Sequence, residues 1–442
     1  MLEKNSIQRA TVTDQGKKGE GIVWLADMPV YVPNVIPGDE IEFKVVKVDK
    51  RRTYGKLITL HQPSKDRVAS KCSVADQCGG CQLQHQSQDG QVAFKAKLLT
   101  DRLSRYVDLD GVKIQPMIVG DRQWATRNKM QFAFGMGPQG LTIGMYAPRS
   151  HRVVDVHYCE VMSAPMNRVL VEIKAWHQQF PIPVFNEQTG EGVLRHVSIR
   201  HSYVTGQLMV MITTAQSYDL STLIDGLKDL PGMTSIYTSV QGDKTVDNVL
   251  GDDLICAWGD EYIEDVVHGC TCRVLPGSFM QANGVLVNRL YQTIVKQIQH
   301  DRVLDLYCGT GILTCSVAKF YSGVIGVDFN PAAIEDARAN AAKNAVTAQF
   351  ECCDVIDYLD QLPSGPATVI LDPPRQGCHS SVLAGIVQNR LDQIIYVSCY
   401  PDTLGRDLRD LVAGGYVIES IQGVDMFCHT PHIECVVALS LK

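Results

Sequence analysis

Three short stretches near the C-terminal end hold residue types that could do chemistry together: DLYCGTG (305–311), YVSCYP (396–401) and DMFCHTPHIE (425–434). They offer a cradle for a nucleoside, a thiol at Cys399 and a carboxylate at Glu434. QIIYVSCYPDTLGRDLRDLVAGGY reads as a strand, a sharp turn at Cys399 to Pro401, and a helix closed by Gly414 and Gly415. That places Cys399 at a strand end beside a helix N-terminus, whose positive end favours thiolate over thiol and whose loop substrate can reach. Most cysteines are inert small hydrophobes, so Cys399 gains meaning only from a partner. Glu434 supplies one, because the loop rich in His and Pro leads through it into a final strand that returns to the same sheet edge. By default an isolated Glu there is a solvated side chain.

DLYCGTG follows an apolar strand candidate, RVLDLY, and opens a helix candidate, ILTCSVAKF, so Gly309 and Gly311 let the backbone approach a nucleoside closely. A dinucleotide site would want GxGxxG, and the third glycine is missing; S-adenosylmethionine is the expected ligand. The next strand, GVIGVD, ends at Asp328, whose carboxylate can accept both ribose hydroxyls. ATVILDPPRQG (367–377) reads as a buried strand running into a rigid turn, with Asp372 at the carboxyl end where open parallel sheets bind ligands. The prolines alone could do no more than end that strand. A DPP turn also recurs in amino-group methyltransferases, so it does not say which atom is methylated.

KCSVADQCGGCQLQH sets Cys72, Cys78 and Cys81 at C-x5-C-x2-C spacing, which suits a metal. Three thiolates want a fourth ligand, and spacing leaves tetrahedral zinc and an iron-sulfur cluster both open. Disulfides are not expected, since no signal peptide opens the chain and a cytosol keeps thiols reduced.

With FMQAN (279–283) and DPPRQG (372–377), these motifs resemble those of the RNA (uracil-5-)-methyltransferases, in that family's order and over nearly the whole chain. The resemblance implies Cys399 as nucleophile and Glu434 as base. It implies that Gln281, Tyr307, Asp328, Asp354 and Asp372 surround the methyl donor beside Gly309 and Gly311. It selects Cys159, in DVHYCEVM, as the fourth ligand of a four-iron four-sulfur cluster with Cys72, Cys78 and Cys81. The chemistry explains the residue types: C5 of uracil is a weak nucleophile until a thiolate adds to C6, and a base must then remove the C5 proton. The uridine must be single-stranded or flipped out to expose C6. The chain departs from the family's commonest spelling at Tyr400, Cys428 and Ile312, none of which is the nucleophile or base.

The elements that position these residues form three expected domains. Residues 1–63 alternate apolar and polar with turn signals and should close into a small OB-like barrel, resembling a TRAM RNA-binding module. Its run Lys44, Lys47, Lys50, Arg51, Arg52 and Lys56 falls in one hairpin and could track phosphates, while Trp24, Tyr31 and Tyr54 are expected to fill the barrel core. Residues 64–90 and 124–271 form a central α+β domain bearing the cluster. Residues 91–123 and 272–442 form a Rossmann-like α/β methyltransferase domain, against which an amphipathic helix starting at Gln91 packs.

The chain has 442 residues and a formal net charge of −7, which does not by itself announce a nucleic-acid binder. Residues 301–442 hold nine Lys and Arg against seventeen Asp and Glu, whereas residues 1–64 hold ten against eight. RNA is therefore expected along the front and middle, including Arg122, Arg127, Lys129, Arg149, Arg152, Arg195 and Arg200, with binding that weakens in salt. No apolar run reaches membrane-spanning length, so a cytoplasmic monomer is expected. The target implied by barrel and cluster together is 23S ribosomal RNA. A uridine in the tRNA T loop is the alternative, and a noncatalytic RNA-binding protein on the same fold is a second.

Overall fold

The computed structural model describes residues 3–442 apart from 26, 51, 244–248, 252, 360, 361 and 363–365, so Arg51 of the basic run lies outside the described residues. Three sheets organise it. An eight-stranded sheet runs in the order Gln349–Cys352, Gly323–Asp328, Arg302–Leu306, Thr368–Leu371, Gln393–Ser398, Glu434–Leu441, Tyr416–Val424 and Lys113–Ile118. The first five are parallel, and Glu434–Leu441 enters antiparallel to both its neighbours.

The central strands read as apolar runs because both their faces are covered. Leu304, Leu306, Val369 and Leu371 pack into one core, and Val303, Ile370, Ile395 and Val397 into the other. Chain order reverses beside Arg302–Leu306: the next two strands lie on one side of it and Thr368–Leu371 on the other. The carboxyl ends of these two neighbours open the crevice where such sheets bind ligands. DLYCGTG and DPPRQG sit at those two ends.

The helix Gln88–Leu103, capped by Ser87, packs on Pro401–Ala413, and Lys113–Ile118 adds the last strand, so residues 88–118 join the C-terminal sheet across some 300 residues of sequence. A second sheet, from Lys129–Gly137 to Asp253–Gly259, is covered on one face by Ala164–Gln179 and Ser221–Lys228. The hairpin Ile263–Val267/Cys270–Val274 spans the expected division at 271 and packs against Ile312–Ala318 and Pro331–Lys343.

The third sheet has six strands between Ile7 and Gln62, with Val23, Val30, Val32, Ile41 and Phe43 facing inward. Trp24 departs from the core packing expected of it: it is 56% exposed. Alternation turns Val23 inward and Trp24 outward, and Tyr31 and Tyr54 are only half buried. Among the described residues no helix is long and apolar enough to cross a membrane.

Two glycines of the DLYCGTG turn differ in what they require. Gly311 has φ +71°, and a Cβ there would meet Ala337 at 2.7 Å and the Phe350 ring at 2.8 Å. Gly309 has φ +54° and nothing within 4 Å of the corresponding point. Gly311→Ala is expected to cost about 2–4 kcal/mol in urea unfolding, from strain and overpacking together, whereas Gly309→Ala costs only the strain, about 1 kcal/mol. Equal losses would contradict the packing assigned to Gly311.

Candidate active site

The crevice at the reversal point is built from backbone turns and carboxylates. Tyr307 takes φ +72°, and the N–H groups of Tyr307 and Cys308 both donate to the Val327 carbonyl, at 2.9 and 3.0 Å. This folds the turn back over Asp328. The Asp328 carboxylate accepts the Gly309 N–H at 2.9 Å through one oxygen and the Asn330 N–H at 2.9 Å through the other. Asp354 follows the edge strand paired with Gly323–Asp328 and caps Val355–Tyr358 by accepting the Ile356 N–H at 2.8 Å. Gln281 comes from the linker before Val287–Val295; it is buried, and its carbonyl accepts from Asn128 at 2.9 Å.

Asp305 is a site residue that the motif contains but sequence reasoning passed over. It is fully buried, one oxygen accepts the Thr314 hydroxyl at 2.5 Å, and the other has no partner among the described residues. Burial, helped by the charge of Asp328, pushes its carboxyl up to about 7. Burial also raises Asp372, with Asp305 adding to it. A lone acid inside the apolar strand RVLDL was the available signal.

Cys399 and Glu434 meet through strand register. Ser398 pairs with Cys435 across the antiparallel strands, and the Cys435 thiol lies 3.1 Å from the Ser398 carbonyl, so the next step of the ladder brings Cys399 to Glu434. Cys399 is half buried just before the helix Pro401–Ala413, while Glu434 is 3% exposed. The helix end does not make Cys399 a resting thiolate. Burial first, then the charges of Glu434 and Asp372, push its thiol up to about 11, with Arg375 pulling the other way. Burial, and then Asp372, likewise raise Glu434 well above the usual carboxylate range. The positive helix end is outweighed by two acids in a dry pocket.

The loop before Glu434 is fastened from two sides. Lys95, wholly buried on Gln88–Leu103, pairs with the buried Asp425 and donates to the Phe427 carbonyl at 3.0 Å. The amides of Gln82 and Leu83 both donate to the His429 carbonyl at 2.9 Å, and the His429 N–H donates to the Gln91 side chain at 3.0 Å. His429 takes φ +63° and stacks on Trp124, centroids 3.9 Å apart. Burial pushes its imidazole down to about 4, so the ring stays neutral.

Residues 298–389 match a profile described as a methyltransferase domain, and residues 359–442 one described as tRNA (uracil-5-)-methyltransferase. The crystal structure of the Pyrococcus abyssi tRNA (uracil-54, C5)-methyltransferase with S-adenosyl-L-homocysteine superimposes with a TM-score of 0.82, at 29% identity, over 98% of this chain and 100% of that one. An RNA methyltransferase of Halalkalibacterium halodurans is 34% identical over 100% of this chain and 98% of its own length. One from Bacillus cereus is 35% identical over 99% and 97%. The chain belongs to the RNA (uracil-5-)-methyltransferase family.

In this family member the four predicted cysteines converge. Cys72, Cys78, Cys81 and Cys159 line one cavity of ≈ 370 Å³ together with Arg127 and Cys428. Cys159 is pinned by Asn167, whose amide oxygen accepts its N–H at 2.7 Å, and Cys78 accepts the Gly80 N–H at 3.4 Å. Burial pushes the Cys81 thiol up to about 11 and that of Cys159 to about 12. Among the described residues, no three His, Cys, Asp or Glu side chains close in as a single-ion site.

Several basic residues assigned to RNA face elsewhere. Arg200 is buried and donates to the carbonyls of Pro276 and Ser278, and Arg195 is buried against Glu187 and the Gln241 carbonyl. Charge alone could not tell these internal clamps from surface groups. Arg122, Arg149 and Arg152 are exposed.

Lys95→Met is expected to lower stability by about 3–5 kcal/mol, because it strands the Asp425 carboxylate, and Lys95→Met/Asp425→Leu should recover much of that. Chemical denaturation of the two variants checks this; equal losses would show that the pair is not coupled.

Proposed function

We propose that this protein methylates C5 of a uridine in 23S ribosomal RNA, with Cys399 as nucleophile and Glu434 as base. The observation that carries the reading is the strand register that brings one thiol and one carboxyl together beside the switch-point crevice. Gln281, Tyr307, Gly309, Gly311, Asp328, Asp354 and Asp372 are the residues we assign to the methyl donor. The open space over Gly309 and the strand-end carboxylate of Asp328 fit a nucleoside. When bound, S-adenosylmethionine supplies an electrophilic methyl group.

Cys399 gives up its proton to solvent with help from the Arg375 charge, and the resulting thiolate sulfur adds to C6 of the uracil. Electron density then gathers at C5, which takes the methyl group. Glu434 removes the C5 proton, the C6–sulfur bond breaks, and Cys399 is restored. A carboxyl whose affinity for protons is raised by burial suits that last task, since it accepts a carbon-bound proton more readily than an exposed Glu.

Cys72, Cys78, Cys81 and Cys159 are assigned to a four-iron four-sulfur cluster, with the first 63 residues as a TRAM-like RNA-binding module. Four thiols lining a shared cavity fit a metal centre, and the family resemblance, rather than coordination geometry, is what favours the iron-sulfur cluster over zinc. A tRNA target is the second reading. The Pyrococcus abyssi enzyme, similar over nearly the whole chain, is named for one.

Methyl transfer from labelled S-adenosylmethionine to unmodified 23S RNA and to unmodified tRNA separates the two. Label in 5-methyluridine of 23S RNA, lost in Cys399→Ala by a factor of at least ~10³, is expected; label in tRNA alone would move the target. Glu434→Gln should transfer the methyl group once and leave a covalent RNA–protein adduct that survives denaturing electrophoresis. The raised thiol also fixes a pH dependence. The active form has Cys399 deprotonated and, since Glu434 is raised too and must be ionised to act as base, kcat/KM should climb at least close to tenfold per unit between about pH 6.5 and about pH 8.5. A flat profile would show a thiolate already present at rest.

A further inference from the structure

Cys378 directly follows the DPPRQG turn and is buried, where residues 375–378 lie along the helix Pro401–Ala413. The Thr403 hydroxyl donates to the Arg375 carbonyl at 3.0 Å, and the Arg406 guanidinium to those of Gln376 and Cys378 at 2.9 and 3.3 Å. The Asp407 carboxylate accepts the Cys378 N–H at 2.8 Å. Because that helix starts just after Cys399, the element that carries the nucleophile also fixes Cys378.

Three side chains converge on the Cys378 thiol. The Tyr396 hydroxyl lies 2.6 Å from an Asp407 carboxylate oxygen and 3.5 Å from Cys378 Sγ, and the Tyr307 hydroxyl is hydrogen-bonded to the same sulfur. Counting protons gives the chain a direction. Tyr396 has one proton, and the short contact to a carboxylate takes it, so the thiol must be the donor across the 3.5 Å contact. Burial above all pushes the Cys378 thiol up to about 12, so that proton is kept. With it committed to Tyr396, the sulfur accepts from Tyr307. The chain therefore runs from Tyr307 O–H to Cys378 S–H to Tyr396 O–H to the Asp407 carboxylate, which is ion-paired with Arg406. Tyr396, Cys378 and Asp407 are buried, whereas Tyr307 is half buried at the turn over Asp328.

We propose that Cys378 is a positioning residue for the methyl donor: with Tyr396 and Asp407 behind it, it holds the tip of the Tyr307 ring and so sets the surface the donor lies against. The proposal rests on the reading of Tyr307 as a donor residue. A tyrosine ring turns about two side-chain torsions, and a bond at its tip fixes both. The far end of the chain is anchored on the helix that starts beside Cys399, so donor and nucleophile share one frame. Such a link matters because a misplacement of about 1 Å between reacting groups can cost ~10²-fold in rate.

Calorimetry with S-adenosylhomocysteine reads the donor site without RNA or turnover. Cys378→Ala should weaken that binding about 3- to 10-fold, the worth of one hydrogen bond. Tyr307→Phe, which loses only the hydroxyl at the other end of the same bond, should do likewise. Cys378→Ala/Tyr307→Phe should then be no weaker than either single variant, since both remove one interaction. Cys378→Ser keeps a donor and an acceptor and should bind within about twofold of wild type. In methyl transfer, KM for S-adenosylmethionine should rise by the factor seen in calorimetry while KM for RNA stays; a general loosening of the fold would raise both. Unchanged binding in Cys378→Ala and Tyr307→Phe would overturn the proposal, as would additive losses in the double variant or a Ser variant as weak as the Ala one. Where Cys378→Ala folds poorly, Tyr307→Phe alone decides, by its KM for donor against its KM for RNA. If wild type binds no S-adenosylhomocysteine, the reading of Tyr307 as a donor residue fails instead.

Discussion

The antiparallel entry of Glu434–Leu441 between Gln393–Ser398 and Tyr416–Val424 is the constraint on which the site depends. A strand set parallel there would start at the opposite edge of the sheet, far from the carboxyl ends that form the crevice. Because it runs the other way, its first residue, Glu434, lies beside the last residues of Gln393–Ser398 and so beside Cys399. The register also sets the electrostatics, since it buries a carboxyl next to Asp372 and a thiol, and all three are shifted toward their protonated forms. Such a pocket is costly to ionise and therefore holds protons until substrate and cofactor charges enter it.

Register alone would not hold Glu434 still, because a nine-residue loop precedes it. That loop is tied down by parts of the chain remote in sequence: Lys95 to Asp425, Gln91 to His429, and the two amides next to Cys81 to the His429 carbonyl. Gln82 and Leu83 follow directly on the cysteine at position 81, so whatever fixes the thiols of that segment also fixes the turn leading to the base. Cys428, one of the departures from the family's commonest spelling, lines the same cavity and is packed rather than exposed.

Much of this was legible in the sequence. The cradle, the DPP turn and the strand-turn-helix around Cys399 are local patterns, and local geometry follows from them directly; the amphipathic helix begun near Gln91 was legible as a helix with one buried face. What stayed hidden was orientation and pairing at long range. Alternation shows that Val23 and Trp24 face opposite ways, but not which faces in. A lysine within QVAFKAKLL looks like any solvated helix lysine until Asp425, 330 residues on, is seen beside it. Helix N-terminus logic favoured a thiolate at Cys399 because it counted one dipole and could not count two buried acids. Asp305 was passed over because a motif directs attention to its glycines.

The division of charge along the chain follows from the same chemistry. Binding a nucleoside by its hydroxyls and abstracting a proton from carbon both call for carboxylates, and under the proposed function Asp305, Asp328, Asp372 and Glu434, which crowd one end of one sheet, would supply them. Asp305, Asp372 and Glu434 are held toward their protonated forms, and the cations lie elsewhere: the N-terminal domain and the Arg149 loop carry Lys18, Arg52 and Arg149. On the proposed reading, the acidic end would serve the chemistry and the more basic front would meet the RNA, so that only a flipped-out base need enter the acidic pocket.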